Sequence, residues 1–164
     1  MSSTSHVVVV GQMGVGKSTL AQGLADALGR KHLDSDVWIE EATGVTGREV
    51  ARRDGVDALH DLEVATLVRQ LREPTPAVVS AAAAVVDDEA GRDVLEAPVV
   101  VWLDLSVEAL MARLELGRHR RRIAAQEMRV LDARRRPLLE AIADHRLDGG
   151  LAPDELLARA LAVL

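Results

Sequence analysis

Residues 11–18 read Gly-Gln-Met-Gly-Val-Gly-Lys-Ser, a complete G-x-x-x-x-G-K-[ST] pattern. The chemistry of such a run is phosphate binding. Glycines let the backbone curl and come close to a ligand. The exposed N–H groups, together with the N-terminus of a following helix, then face phosphate oxygens. On this reading Gly11, Gly14, Val15, Gly16, Lys17, Ser18 and Thr19 hold a nucleotide. Lys17 reaches the β- and γ-phosphates, and the Ser18 hydroxyl ligates Mg²⁺. The one other lysine in the chain is Lys31. There is no asparagine, so the N-K-x-D pattern that reads guanine is absent and ATP is the expected nucleotide.

Two further groups of residues could act on a bound triphosphate. Asp34 and Asp36, two apart in Leu33-Asp34-Ser35-Asp36, put two carboxylates close together. One can serve Mg²⁺, directly or through water, and the other can meet a substrate hydroxyl. The same tripeptide also makes good turns and caps. Arg118, Arg120, Arg121 and Arg122 form a basic cluster in an otherwise acidic chain. A lid that closes over triphosphate fits them, because arginine stabilises charge developing on a transferred phosphoryl group.

These residues need a scaffold, and the hydropathy pattern supplies one. Apolar runs alternate with helical patterns, the mark of βαβ units around a parallel sheet. Strands are expected at Val7–Gly11, Lys31–Asp34, Ala77–Ala81 and Val99–Leu105, with a weak one at His145–Asp148. Helices are expected at Gly16–Leu28, Val37–Thr43, Arg48–Arg53, Asp57–Arg72, Asp87–Leu95, Val107–Leu116, Gln126–Ala143 and Pro153–Val163. Val99–Leu103 lacks polar alternation, as a strand covered by helices on both faces should. Pro137 falls inside a helical pattern and predicts a kink or break there. The motif thus sits where a strand delivers the chain to a loop and a helix carries it away.

Composition narrows the partners. The 164 residues, 48% hydrophobic, suit one domain over residues 1–164 with a real core. Phe and Tyr are absent, which disfavours base stacking as a main activity. The net charge of −6 disfavours nucleic acid as a partner. Without cysteine there is no thiolate chemistry and no Cys-based zinc site. No stretch approaches the apolar length a membrane span needs, and Met1–His6 has no signal-like pattern. A cytoplasmic protein, monomeric by default, is expected.

After the phosphate loop come Asp34-Ser35-Asp36, then Ile39-Glu40-Glu41-Ala42-Thr43-Gly44, then Leu59-His60-Asp61-Leu62-Glu63. In order and distance these resemble the D-x-D, I-E-x-x-x-G and F-R-x-x-E segments of the shikimate kinases, small P-loop kinases, and the likeness runs essentially end to end. It implies a three-layer α/β/α P-loop fold of the nucleoside-monophosphate-kinase type, with a short parallel sheet and a lid near 117–126. It also implies ATP and Mg²⁺ as cofactors and a small hydroxylated metabolite as acceptor. By the same resemblance Asp34 is the Mg²⁺-associated carboxylate and Asp36 orients the acceptor hydroxyl. Arg113 packs against adenine, Arg120 is the lid arginine that reaches phosphate and substrate, and Arg135 pairs with the substrate carboxylate.

The departures all fall on the acceptor side. His60 stands where the family has a carboxylate-clamping arginine, and a histidine cannot reproduce a planar two-donor fork. The family's Gly-Gly-Gly turn reads Ala82-Ala83-Ala84, which would crowd a bound ring or begin a helix. The lid segment between Arg113 and Arg135 is several residues shorter. The expectation is therefore a kinase with an intact nucleotide half and a changed acceptor half, its substrate not shikimate, with His60 facing that substrate. Two alternatives stand beside it: a shikimate kinase with a diverged pocket, and an ATP-binding regulatory protein without transfer activity.

Overall fold

The computed structural model describes residues 4–116 and 123–164. Five short strands build its centre: β1 (Val7–Val10), β2 (His32–Asp34), β3 (Val78–Ser80), β4 (Val99–Asp104) and β5 (His145–Asp148). They pair in the order β2-β3-β1-β4-β5, every neighbour parallel. Parallel strands need crossovers, and helices supply them. These are α1 (Lys17–Leu28), α2 (Ser35–Thr43), α3 (Gly47–Asp54), α4 (Val56–Gln70), α5 (Glu89–Val94), α6 (Val107–Leu116), α7 (Ala125–Ile142) and α8 (Pro153–Val163).

Alternation along β1 explains the three layers. Val7 and Val9 join a cluster with Leu20 and Leu24 of α1, Leu110 of α6 and Leu156 of α8. Val8 and Val10 join the opposite cluster with Leu67 of α4, Leu95 and Leu139 of α7. All four valines are essentially sealed from solvent. A strand buried on both faces must be apolar throughout, which is why Val7–Val10 reads as an unbroken run. Strands β3 and β4 flank β1, and the chain reverses its direction of travel across the sheet there. The crevice beyond the carboxyl ends of such strands is where open α/β sheets bind ligands.

Two local expectations change. Helix α7 continues through Pro137 instead of breaking. Its two halves are anchored to different parts of the core, Met128 in one cluster and Leu139 in the other. Arg135 and Arg136 are tied to Asp87 and Asp104 beside the proline. That tertiary hold outweighs one missing N–H. After β3, Ala82 stays extended and Ala83–Asp87 forms a tight 3₁₀ turn before α5 begins at Glu89. Alanine does favour helix here, but only in this tighter and shorter form. No helix among the described residues is long and apolar enough to cross a membrane.

Candidate active site

The loop between β1 and α1 is shaped by three glycines with positive φ: Gly11 at 147°, Gly14 at 87° and Gly16 at 103°. A Cβ on Gly11 would meet the Leu103 carbonyl oxygen at 2.7 Å, so that position also needs the missing side chain for packing. Gly16 caps α1 without a side-chain bond. The first-turn N–H groups of α1 are thus left to a ligand rather than to a capping hydroxyl. Val15 turns its side chain inward and is 1% exposed. Gly14, Gly16, Lys17, Ser18 and Thr19 line a cavity of about 600 Å³. The Lys17 ammonium lies back on the loop, donating to the Gln12 carbonyl at 3.0 Å.

Across the cavity floor, Ser18 Oγ donates to Asp34 Oδ2 at 2.7 Å. Ser80 Oγ, at the end of β3, donates to the same oxygen at 2.8 Å. Asp34 Oδ1 caps α2, accepting from the backbone N–H of Asp36 at 2.9 Å and of Val37 at 3.3 Å. Behind Ser80, His32 Nε2 lies 2.9 Å from its Oγ, and His32 Nδ1 lies 3.1 Å from Gln22 Oε1. Partial burial pushes the Asp34 carboxyl up, but its hydrogen bonds outweigh burial and hold it below the usual carboxylate range. An ionised carboxylate beside a serine hydroxyl is the hard, all-oxygen donor set Mg²⁺ takes, usually with waters completing it. These residues fit the metal, and the loop fits a triphosphate.

The remaining wall comes from α3, α4, α7 and the turn after β3. On α4, Val56, Leu59, His60 and Glu63 follow at helical spacing and all line the cavity, while Leu67 on the same stripe enters the core. On α7, Met128, Leu131 and Arg135 do the same. Asp36, in the first turn of α2, and Ala81–Ala84 complete the lining. Aliphatic side chains alternate with charged ones along these walls, and neither tryptophan is among the lining residues.

Arg135 is 5% exposed and heavily engaged. Its Nε lies 3.1 Å from both Asp87 oxygens, and its Nη2 donates to Asp87 Oδ2 at 2.8 Å. Its Nη1 donates to Gln12 Oε1 at 3.0 Å. The side-on fork that would grip a substrate carboxylate is closed on a carboxylate of the protein itself. Arg134 joins the same Asp87 at 2.8 Å. Partial burial raises the Asp87 carboxyl, but the two guanidiniums outweigh it and hold it below its ordinary range.

Glu63 has the opposite environment. Its Oε2 is sealed from solvent and has no hydrogen-bond partner among the described residues. Burial, then the nearby Asp36 charge, push its carboxyl up to about 7 against the pull of Arg135 and Lys17. Glu63, Asp87, Gln12 and Ser80 are site residues that spacing arguments do not single out. Glu63 had a signal, since it fills the last position of the F-R-x-x-E segment. Asp87 had none: its role depends on a contact 48 residues away.

The expected residues fall into three groups. Lys17, Ser18, Asp34, Asp36, His60 and Arg135 converge on one cavity. Arg113 stands behind the phosphate loop, its Nη1 donating to the Val15 carbonyl at 2.9 Å and its Nη2 to the Gly149 carbonyl at 2.7 Å. Arg120 and its basic neighbours at 118, 121 and 122 lie outside the described residues. Of the expected lid, Ile123 lines the cavity and Gln126 belongs to the first turn of α7.

Residues 13–164 match the family model for shikimate kinase. The chain belongs to the shikimate kinase family. It is 35% identical over 160 residues to a shikimate kinase of Corynebacterium glutamicum, spanning 94% of each chain. It is 39% identical over 111 residues to one from a Synechococcus strain, a stretch covering 68% of this chain and 56% of that relative. A solved shikimate kinase from Acinetobacter baumannii in complex with shikimate superposes with a TM-score of 0.89 at 26% identity, covering 99% of this chain and 93% of that one. The protein is therefore a P-loop kinase of this family.

Proposed function

We propose that this protein transfers the γ-phosphoryl group of ATP, with Mg²⁺, to a hydroxyl of a small metabolite other than shikimate. The observation that carries the acceptor part is the closure of the Arg135 fork by Asp87 and Gln12. His60, in place of a second clamp, reinforces it.

The backbone of Gly11–Gly16 and the first turn of α1, with Thr19, would cradle the phosphates. Lys17 would leave the Gln12 carbonyl to neutralise the β- and γ-phosphates. Ser18 and Asp34 would hold Mg²⁺, which supplies charge neutralisation across the phosphate oxygens. Asp36, which lines the same cavity as Lys17, would orient the acceptor hydroxyl and take its proton. Arg113 would offer its face to adenine with its edge fixed by two carbonyls, and Arg120 would add a cation from the lid. His60 and Arg135 would border the acceptor, and one domain spanning residues 1–164 would carry both halves. The protein would work as a cytoplasmic monomer without nucleic acid or membrane.

A second reading is shikimate kinase itself, and the 35% identity across nearly the whole chain favours it. ADP release, measured with Mg–ATP and a panel of hydroxylated metabolites that includes shikimate, separates the two. Release with a panel member and background rates with shikimate supports the first reading. Saturable release with shikimate overturns it. Background rates throughout would leave a nucleotide-binding protein without transfer activity and overturn both.

A further inference from the structure

Behind the Ser18–Asp34 pair, side chains of β2, β3 and α1 close into a ring. Residues two apart on a strand share a face, so His32 and Asp34 point the same way while Leu33 enters the opposite core cluster. The parallel register sets His32 beside Val78 and Asp34 beside Ser80 of β3. Val78 packs with Leu20 and Leu24 of α1, so this is the face that α1 covers. On α1, Ser18 and Gln22 lie one turn apart and meet β2 at Asp34 and His32 in turn. Ser18 donates to Asp34 at 2.7 Å, the Gln22 side-chain amide lies 3.1 Å from His32 Nδ1, and Gln22 donates to Asp26 at 2.8 Å. Ser80 closes the ring. Its hydroxyl carries one hydrogen and two lone pairs. The hydrogen goes to Asp34 Oδ2 at 2.8 Å, so the 2.9 Å contact with His32 Nε2 has that nitrogen donating. His32 Nε2 is itself 4.0 Å from Asp34 Oδ2, beyond hydrogen-bond reach. The imidazole is bonded to the carboxylate through the buried Ser80 and not directly.

We infer that His32 is a positioning residue for the metal site. Its Nε2–H pins the Ser80 hydroxyl in the rotamer that donates to Asp34, and Gln22 keeps the ring turned toward Ser80. The inference rests on the reading of Ser18 and Asp34 as the residues that hold Mg²⁺. Mg²⁺ demands a near-ideal octahedron of oxygen ligands. A carboxylate fixed in one orientation before the ion arrives binds it better than one that turns. Without the ring, the Ser80 hydroxyl is free to rotate and Asp34 loses a fixed donor.

The test titrates ADP by calorimetry into the wild type, His32→Leu, His32→Gln, Ser80→Ala and the double variant His32→Leu/Ser80→Ala. Each titration is run with Mg²⁺ and again with the metal chelated. The quantity read is the factor by which Mg²⁺ tightens ADP binding. His32→Leu should lower that factor about three- to tenfold, the worth of one hydrogen bond, and leave the metal-free affinity unchanged. His32→Gln sets an amide N–H where Nε2 stood and should restore most of the factor. Ser80→Ala should lower the factor too, and adding His32→Leu should lower it no further, because the ring acts through the hydroxyl. A His32→Leu factor equal to that of the wild type, or a full further loss in the double variant, overturns the inference and leaves the metal site standing. Equal weakening with and without Mg²⁺, or no rescue by His32→Gln, makes His32 a packing residue between β2 and α1 and overturns it as well. No effect of Mg²⁺ on the wild type overturns the metal-site reading and the inference with it. Thermal unfolding checks that each variant is folded. If His32→Leu is not, His32→Asn takes its place with the same expectation, because it keeps an amide toward Gln22 but is too short for Ser80.

Discussion

The two halves of the cavity are built from similar residue types and have opposite degrees of internal satisfaction. On the nucleotide side, the loop leaves first-turn N–H groups for a ligand and rests its lysine on the Gln12 carbonyl, and the carboxylate Asp34 is held by two hydroxyls and two backbone donors. On the acceptor side, the buried Arg135 is already paired with Asp87, and Glu63 Oε2 has no hydrogen bond among the described residues. The first half is organised for an anion and its metal. The second half holds its arginine on the protein's own Asp87 and seals one Glu63 oxygen from solvent without a hydrogen bond among the described residues. The difference teaches that two sites at the end of the same sheet can be satisfied to different degrees before any ligand binds.

The comparison can be broken most severely at Lys17. Lys17→Met removes a cation from the transferred phosphoryl group, and losing one such interaction raises the barrier by about 3–4 kcal/mol. Turnover should fall by about a hundred- to a thousandfold, read as ADP release at saturating Mg–ATP. Near-normal turnover would mean that the loop does not carry the chemistry.

On the acceptor side, the largest effect is one of pH. Glu63 titrates near 7 in the folded protein against an ordinary value of 4.5. The native state therefore holds a proton that the unfolded chain has released, and stability falls as pH rises through this interval. The contribution amounts to about 3 kcal/mol between pH 4.5 and 7. Chemical denaturation across that range should show this slope in the wild type and a flatter one in Glu63→Gln. Identical slopes would remove the buried carboxyl from the account.

How much of this was legible beforehand follows from what each residue depends on. The nucleotide half is local: glycines at fixed spacing, a lysine, a serine and a strand on either side determine it, and Asp34 follows at the next strand end. The three central strands β1, β3 and β4 could be placed from apolar runs because helices cover both faces of the sheet there, whereas the edge strands His32–Asp34 and His145–Asp148 carry one buried leucine each and read only weakly. Pro137 does not break α7, because local propensity says nothing of the ties at Asp87 and Asp104 that hold Arg135 and Arg136 beside it. His60 departs from the F-R-x-x-E pattern visibly in the sequence, but it gives no reason for Arg135 being engaged. That reason is Asp87, in a 3₁₀ turn far along the chain, and no spacing rule links the two. The burial of Glu63 Oε2 likewise appears only in the folded chain.

Two smaller effects sharpen the contrast. The double variant His60→Arg/Asp87→Asn restores one guanidinium and loosens another, and should improve shikimate affinity about tenfold, roughly 1.4 kcal/mol. An unchanged or weaker affinity, measured by competition binding, would show that Ala82–Ala84 rather than charge controls the pocket. Ser80→Ala removes one donor from Asp34 and the group that His32 meets. A lost hydrogen bond to a charged partner is worth about 1.5 kcal/mol, so Mg–ATP should bind several-fold more weakly while the nucleotide without metal binds as before. Equal weakening in both would assign Ser80 to the loop rather than to the metal site.

The most direct measurement is a two-step calorimetric titration, Mg–ATP into the wild-type protein and then shikimate into the nucleotide-loaded protein. The account predicts saturable heat from the nucleotide and none from shikimate. Saturable shikimate binding in the second step would contradict it, because His60 and the occupied Arg135 would then make a working carboxylate site. Failure of Mg–ATP to bind in the first step would contradict the reading of the loop itself.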